Sequence, residues 1–465
     1  MKKQPIYKQL AKNIIEKISS GVVSHGDKLP SLRVFSVQQQ VSVNTAIRCY
    51  EYLVDLGYVE SEAKSGFLIR KPQHKAQLNE FPQFKGEIKE VNKKLYSNNQ
   101  NRSSFTPLLT AQVSPEFVPI NLLKSAFNKG FQTQNIDQFI YSSAQGNQAL
   151  INALIEHFSY KGFALKQQEL LITHGCIDAV ATALNVVSKP GDTIAVNSPC
   201  FNGILELLAL YDRKVIEIPS TNSGLDLNQL SRIVEKHTIA ACLFSSNFQN
   251  PTGHSLSAEQ KQWLANFAAQ HKLPIIEDDV FIELHHQGVM PLPIKHWDKE
   301  GWVLWCSSVS KSLAAGLRLG WCAAGRFSET FNYHNKVKNL GVNQPIQKGV
   351  AEFINRGHYA RHIKKINQTL LVQIASYRRF LYAILPKNTV ISDPKGGVVL
   401  WVKVPNIDTR LLEKHCLDEG IYIRSGYLFS TQKFYSDCFR INVGWPLTEQ
   451  IKNQLKVLAQ FLKTE

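Results

Sequence analysis

The chain has 465 residues, of which 44% are hydrophobic and 19% charged, and a formal net charge of +16. That length exceeds one ordinary domain, so two or three domains with sizeable cores are expected, and the basic balance suits a polyanion such as DNA. No run approaches ~18 uninterrupted apolar residues and no apolar core follows the first lysines, so neither a spanning helix nor a secretory leader is expected.

The eight cysteines are scattered and form no Cys-x-x-Cys pair. That pattern points to reduced thiols in a cytoplasm, with no metal site and no disulfide framework. Residues 1–70 hold ten Lys/Arg against six Asp/Glu, a modest surplus of +4.

In chain order, Ile6–Ser19 has apolar residues at 6, 10, 14, 15 and 18, the spacing of an amphipathic helix. Gly21 and Gly26 break the chain, and Ser31 behind Pro30 caps a second helix. Ser42 caps a third, with Ala46, Tyr50, Leu53 and Gly57 on one face. Asn44, Thr45, Arg48 and Tyr52 are expected to reach outward from the other face. Residues 58–69 alternate around Lys64-Ser65-Gly66, a hairpin tip. Three helices and a β-wing make a winged helix-turn-helix, whose third helix enters the DNA major groove.

These residues resemble the GntR-type DNA-binding domain: Gly26-Asp27-Lys28-Leu29-Pro30-Ser31-Leu32-Arg33, Val41-Ser42-Val43-Asn44-Thr45, Tyr50-Glu51-Tyr52-Leu53 and Ser65-Gly66-Phe67. The resemblance implies that Ser31, Arg33, Ser42, Thr45, Lys64 and Gly66 contact operator DNA. The family usually has an arginine after the capping serine; here Val43 stands there, with Asn44 and Arg48 as substitutes.

Residues 71–104 are polar and irregular and read as a linker, on the order of 30 Å r.m.s. in span, with a short amphipathic helix over 86–96 as an option. From 105 to 465, short apolar runs at 170–173, 193–196, 240–244, 274–276 and 302–306 alternate with helical patterns at 178–187 and 258–271. That alternation predicts a mainly parallel α/β sheet covered on both faces. Further strands at 397–404 and 439–443 predict a small C-terminal α+β subdomain.

Lys311 lies in Ser307-Ser308-Val309-Ser310-Lys311-Ser312, seven residues before Arg318 in Gly316-Leu317-Arg318-Leu319-Gly320. An amine among hydroxyls with a nearby guanidinium fits a Schiff base to an aldehyde cofactor that carries a phosphate. The window resembles the cofactor lysine of fold-type I enzymes that use pyridoxal 5′-phosphate, the aminotransferase class. The rest of that constellation can be traced along the chain. Gly175-Cys176-Ile177, between a strand and a helix, offer N–H groups to a phosphate. By the resemblance, Phe201 is the aromatic stacked on the cofactor ring, and Asn250 bonds its phenolic oxygen. Asp278 meets the ring nitrogen, with Asp279 as the nearby competitor. Ser308, Ser310 and Arg318 complete the phosphate cup, Tyr141 reaches the phosphate of a partner subunit, and Arg440 clamps a substrate carboxylate.

The tyrosine that usually follows the aspartate is absent: its candidates are Val280 and Phe281, neither with a hydroxyl. Ala315 replaces a common proline. A GntR-type reader ahead of an aminotransferase-like domain resembles the MocR subfamily of transcription regulators. The resemblance implies a homodimer that binds paired operator half-sites. An amine, amino-acid or vitamin B6 effector would be sensed through the Lys311 aldimine. The competing readings are a working aminotransferase that carries a DNA-binding domain, and a cofactor-free dimerisation domain.

Overall fold

The apolar stripe of the first helix decides how the N-terminal unit closes. In the computed structural model, which describes residues 5–464 apart from 20–21, 25, 63–65, 70–83, 92–105, 133–140, 142, 287 and 433, helix α1 (Ile6–Ser19) buries Ala11, Ile14 and Ile18. Ile6, expected on the stripe, is 58% exposed. The buried positions 11, 14 and 18 follow the i, i+3, i+7 helical repeat, and Ile6 falls off that line.

Helices α2 (Leu32–Gln38) and α3 (Val43–Asp55) begin at the predicted serines: Ser31 accepts from the Val34 N–H at 3.4 Å and Ser42 from the Thr45 N–H at 3.2 Å. Each cap satisfies an otherwise orphaned donor. Ala46, Tyr50 and Leu53 of α3 are fully buried. Tyr52 does not reach outward as expected; it packs edge-on against Tyr7 at 5.8 Å, with Lys8 over its ring. The aromatic surface gains more from α1 than from water. Strands β1 (Val59–Glu62) and β2 (Gly66–Ile69) form the antiparallel wing, with Val59 opposite Ile69.

Part of the segment read as a linker is strand. β3 (Lys89–Glu90) pairs antiparallel with the edge of the large sheet, Lys89 opposite Val215, and Val91 enters the core. The optional helix over 86–96 is therefore not formed across the described residues 84–91. An unpaired sheet edge competes well with a short isolated helix.

The large sheet runs β3-β6-β5-β8-β9-β10-β11-β4, with β7 paired to β6. Its members are β4 (Leu170–Thr173), β5 (Thr193–Ser198), β6 (Lys214–Thr221), β7 (Gly224–Leu225), β8 (Ala241–Phe244), β9 (Ile275–Asp278), β10 (Val303–Ser308) and β11 (Gly320–Ala323). β6, β5, β8, β9 and β10 are mutually parallel, and β11 runs against both β10 and β4. β6 carries Glu217 and Pro219 inside its eight residues, so it lacked the short apolar signature of its neighbours.

Helices cover both faces. They are α4 (Ile120–Gln132), α5 (Gln148–Ser159), α6 (Cys176–Val187), α7 (Asn202–Leu210), α8 (Leu227–Lys236), α9 (Ala258–His271), α10 (Ser328–Asn339) and α11 (Gln344–Asn355). The alternation is visible along β10: Leu304 and Cys306 join the core under α6 and α7, while Trp305 joins the core under α5 and α11. The long α12 (His358–Ile384) leads to the small subdomain. There an antiparallel sheet, β12 (Val390–Ile391), β13 (Val399–Lys403), β15 (Cys438–Asn442) and β14 (Arg424–Ser425) in spatial order, packs with α13 (Thr409–Asp418) and α14 (Glu449–Thr464). The multidomain expectation, a winged helix-turn-helix followed by an α/β unit with an α+β subdomain, is met.

Candidate cofactor site

The C-terminal ends of β9 and β10 meet the start of α6 at a cavity of about 520 Å³. Parallel strands deliver their loops to this end, where open α/β sheets bind ligands. Lys311, just beyond β10, is half-buried and lines the cavity. Burial, then the charge of Arg440, pulls its amine down to about 8, while Asp278 acts in the opposite direction. A buried amine of this kind is available as a nucleophile near neutral pH.

Asp278 closes β9 and is 7% exposed. Burial pushes its carboxyl up; the Cys176 thiol, the Val280 N–H and Lys311 oppose this. Cys176 donates to Asp278 Oδ1 at 3.2 Å. Burial and the neighbouring Asp278 drive that thiol well above its ordinary value, so it stays protonated and acts as a donor. Asp279 points elsewhere: it accepts from Trp305 Nε1 at 2.9 Å and from Asn247 Nδ2 at 3.0 Å. Of the two aspartates, Asp278 lines the cavity.

Gly175 is the N-cap of α6 at φ +94°, with no side-chain cap. A Cβ there would lie 2.7 Å from Arg318 Nη2, which itself donates to the His174 carbonyl at 3.0 Å. The bare helix start and the guanidinium thus sit side by side, a cradle for a phosphate that any side chain would fill. Ile177, Ser308 and Ser310 line the cavity beside them.

Phe201 also lines it, and a Cβ on Gly203 would meet the Phe201 ring at 2.6 Å. Gly203 therefore gives that ring its room, which sequence reading missed. Arg440, on β15, is 2% exposed and donates through Nη1 to Asn250 Oδ1 at 3.3 Å and through Nη2 to the Leu109 carbonyl. With its oxygen engaged, the Asn250 amide keeps its N–H groups for a ligand. Val280 and Phe281 line the cavity too, as do Glu206 and Arg424, neither of which was singled out in the sequence.

Tyr141 stands apart, 83% exposed and outside the cavity lining. In the reader, Ser31, Arg33, Ser42, Asn44, Arg48 and Gly66 are exposed and Thr45 is half-buried; Lys64 lies outside the described residues. The hydroxyls of Ser31 and Ser42 are already held as helix caps.

A phosphate cradle, a buried carboxylate in want of a cation, an amide with free donors and a low-pKa amine fit one group, pyridoxal 5′-phosphate. Bound there, it supplies an aldehyde and an electron-withdrawing ring. Cofactor chemistry and DNA reading meet in a single chain: the larger unit has the fold and site of the aminotransferase-like pyridoxal-phosphate proteins, and the smaller is a winged helix-turn-helix.

Comparison with known proteins agrees. Residues 115–458 match the aminotransferase class I and II family, and residues 6–69 match the bacterial regulatory proteins of the gntR family. The uncharacterized HTH-type transcriptional regulator YjiR of Escherichia coli (strain K12) is 31% identical over 463 residues, covering 98% of each chain. Its counterpart YdcR, from the same strain, is 29% identical over 462 residues, covering 98% of this chain and 99% of its own. Among solved structures, the multiple substrate aminotransferase of Thermococcus profundus superposes with a TM-score of 0.73 at 24% identity, covering 81% of this chain and 95% of its own. The chain belongs to the aminotransferase class I and II family and carries a gntR-family DNA-binding domain ahead of it, the arrangement of MocR-type transcription regulators.

Proposed function

We propose that the protein is a cytoplasmic, homodimeric transcription regulator that senses a small amine, an amino acid or vitamin B6 through the covalent link between Lys311 and pyridoxal phosphate. The domains at 1–70 and 105–465 divide the labour between operator reading and effector sensing. Arg33, Asn44, Thr45, Arg48 and the wing at Lys64 and Gly66 face DNA, and two readers per dimer engage paired half-sites. Asp278 meets the ring nitrogen, Ser308, Ser310, Arg318 and the Gly175–Cys176–Ile177 turn hold the phosphate, and Tyr141 serves a partner subunit's phosphate. Phe201 covers the ring, and Arg440 holds an effector carboxylate.

One observation carries this reading over a working enzyme. The ring placed against the lysine amine is Phe281, which has no hydroxyl to assist proton transfer. The alternative, an active aminotransferase with a DNA-binding domain, draws on the intact set of Lys311, Asp278, Asn250 and Arg440 in one cavity. Two measurements separate them. Operator affinity is measured with and without pyridoxal phosphate and candidate amino acids, and keto-acid release is followed in parallel. A ligand-dependent change of affinity with negligible keto-acid release supports the regulator. Unchanged affinity with steady keto-acid release supports the enzyme.

A further inference from the structure

Helix α3 presents an apolar residue among the polar side chains that face DNA. Val43 is its first residue and is 44% exposed. Asn44 and Arg48, one turn apart on the outward face, are exposed beside it. The opposite face is fixed. Ala46, Cys49, Tyr50 and Leu53 are fully buried, Tyr50 donates to the Pro30 carbonyl at 2.9 Å, and its ring packs against Phe35 and Phe67, each at 4.9 Å. The helix therefore cannot roll to bury Val43 without breaking its own core.

The hydroxyls that flank Val43 are engaged. Ser42 Oγ accepts from the Thr45 N–H at 3.2 Å and lies 2.9 Å from Thr45 Oγ1. The tip of the helix offers only methyl groups at position 43, with no charge for a phosphate and no donor or acceptor for a polar base edge. Valine is also stiff at χ1, so little side-chain freedom is lost when it packs. The N-terminal residues of a recognition helix meet base edges in the major groove. The apolar group there is the C5 methyl of thymine. Guanine, adenine and cytosine present donors and acceptors that a valine would strip of water without replacing it.

We propose that Val43 is a specificity-determining residue of the operator reader, and that it selects thymine by packing against the C5 methyl. The proposal rests on the DNA-reading role of the N-terminal unit and goes beyond it by naming a base. It divides the work of one helix: Asn44 and Arg48 supply polar and charged contacts, and Val43 supplies an apolar one.

The test uses the full chain and a pool of random-sequence duplexes, from which the preferred site is selected. Each thymine of that site is then replaced in turn by deoxyuridine, which removes only the C5 methyl. At one thymine or more, affinity should fall by about fourfold, the gain from one buried methyl group. Val43→Ala should bind the thymine and deoxyuridine sites within about twofold of each other, with an unchanged slope of log affinity against log salt, since no charge is lost. Its unfolding midpoint should not move, because the side chain lies outside the core. Asn44→Ala, by contrast, should weaken binding and keep the preference for thymine. A selected site in which no thymine responds to deoxyuridine, or a preference that survives in Val43→Ala, overturns the proposal and leaves the DNA-reading role standing. Selection of no sequence at all overturns that role, and the proposal with it.

Discussion

The Nζ of Lys311 lies 5.9 Å from the centroid of the Phe281 ring. Of the two residues left open by the sequence, Phe281 thus takes the place beside the reactive amine, and it offers an apolar wall. Phe281→Tyr would add a phenol at that wall. A phenol that donates to the cofactor's phenolic oxygen stabilises its anionic form, so the pH at which the bound chromophore titrates should fall by on the order of one unit. Keto-acid release should rise by about 10²-fold, the scale of a gained acid–base group. Absorbance titration and a keto-acid assay read both. An unchanged titration would show that the missing hydroxyl does not govern the chemistry.

Lys311 also makes stability depend on pH. Its amine is lowered from 10.5 to about 8 in the folded protein, chiefly by burial and secondly by Arg440. Between those two values the unfolded chain binds more protons than the folded one, so stability rises with pH across that window. Below about 8 the penalty is fully present, on the order of 3 kcal/mol from the size of the shift. Lys311→Met, studied without cofactor, should therefore raise the unfolding midpoint at pH 7, and the gain should vanish towards pH 10.5. A gain independent of pH would assign the effect to packing instead.

At the reader, Arg33 and Arg48 are exposed on α2 and α3 with no role in the core. Replacing either with alanine should leave the unfolding midpoint within about a degree and weaken operator binding. If the contact is to phosphate, the slope of log affinity against log salt falls by about one. If Arg48 instead reads a base, the loss of about 1–3 kcal/mol is confined to operators with that base. Unchanged affinity in both variants would remove these residues from the interface.

Local signals were legible in the sequence because short-range physics sets them. Ser31 and Ser42 cap where a cap was needed, and the alternation of apolar runs with helices named the sheet and its direction. The candidate site residues were picked out by their order along the chain, and Cys176, Phe201, Asn250, Asp278, Ser308, Lys311 and Arg440 line one cavity. What stayed hidden depends on contacts across the chain. Asp278 and Asp279 are neighbours that alternate across a strand end, and distant Trp305 and Cys176 decide which way each points. Arg424 is brought opposite Arg440, sixteen residues away, only by the register of two strands. β3 forms because the edge of β6 is there to receive it. Gly203 carries no local signal of its own, and its use is the space it leaves for Phe201.

Helix α12 joins the lysine loop to the reader. At its first turn, Tyr359 Oη lies 2.7 Å from the hydroxyl of Ser312, the residue next to Lys311. Near its far end, Arg379 donates to the carbonyl of Val54 in the last turn of α3, where a cation also complements the helix dipole. The helix has 27 residues, about 40 Å at its regular rise. It is buried along much of its length, so it moves as a unit with what it touches. A change in the lysine loop that alters the Ser312–Tyr359 contact would bias the reader's position through Arg379. Tyr359→Phe and Arg379→Ala should each leave the operator affinity of the effector-free protein within about twofold. Each should reduce the effect of the effector on that affinity by about 1 kcal/mol. The double variant should lose no more than either single one, because both act on one connection. Additive losses, or a full effector response in Tyr359→Phe, would show that the signal takes another route.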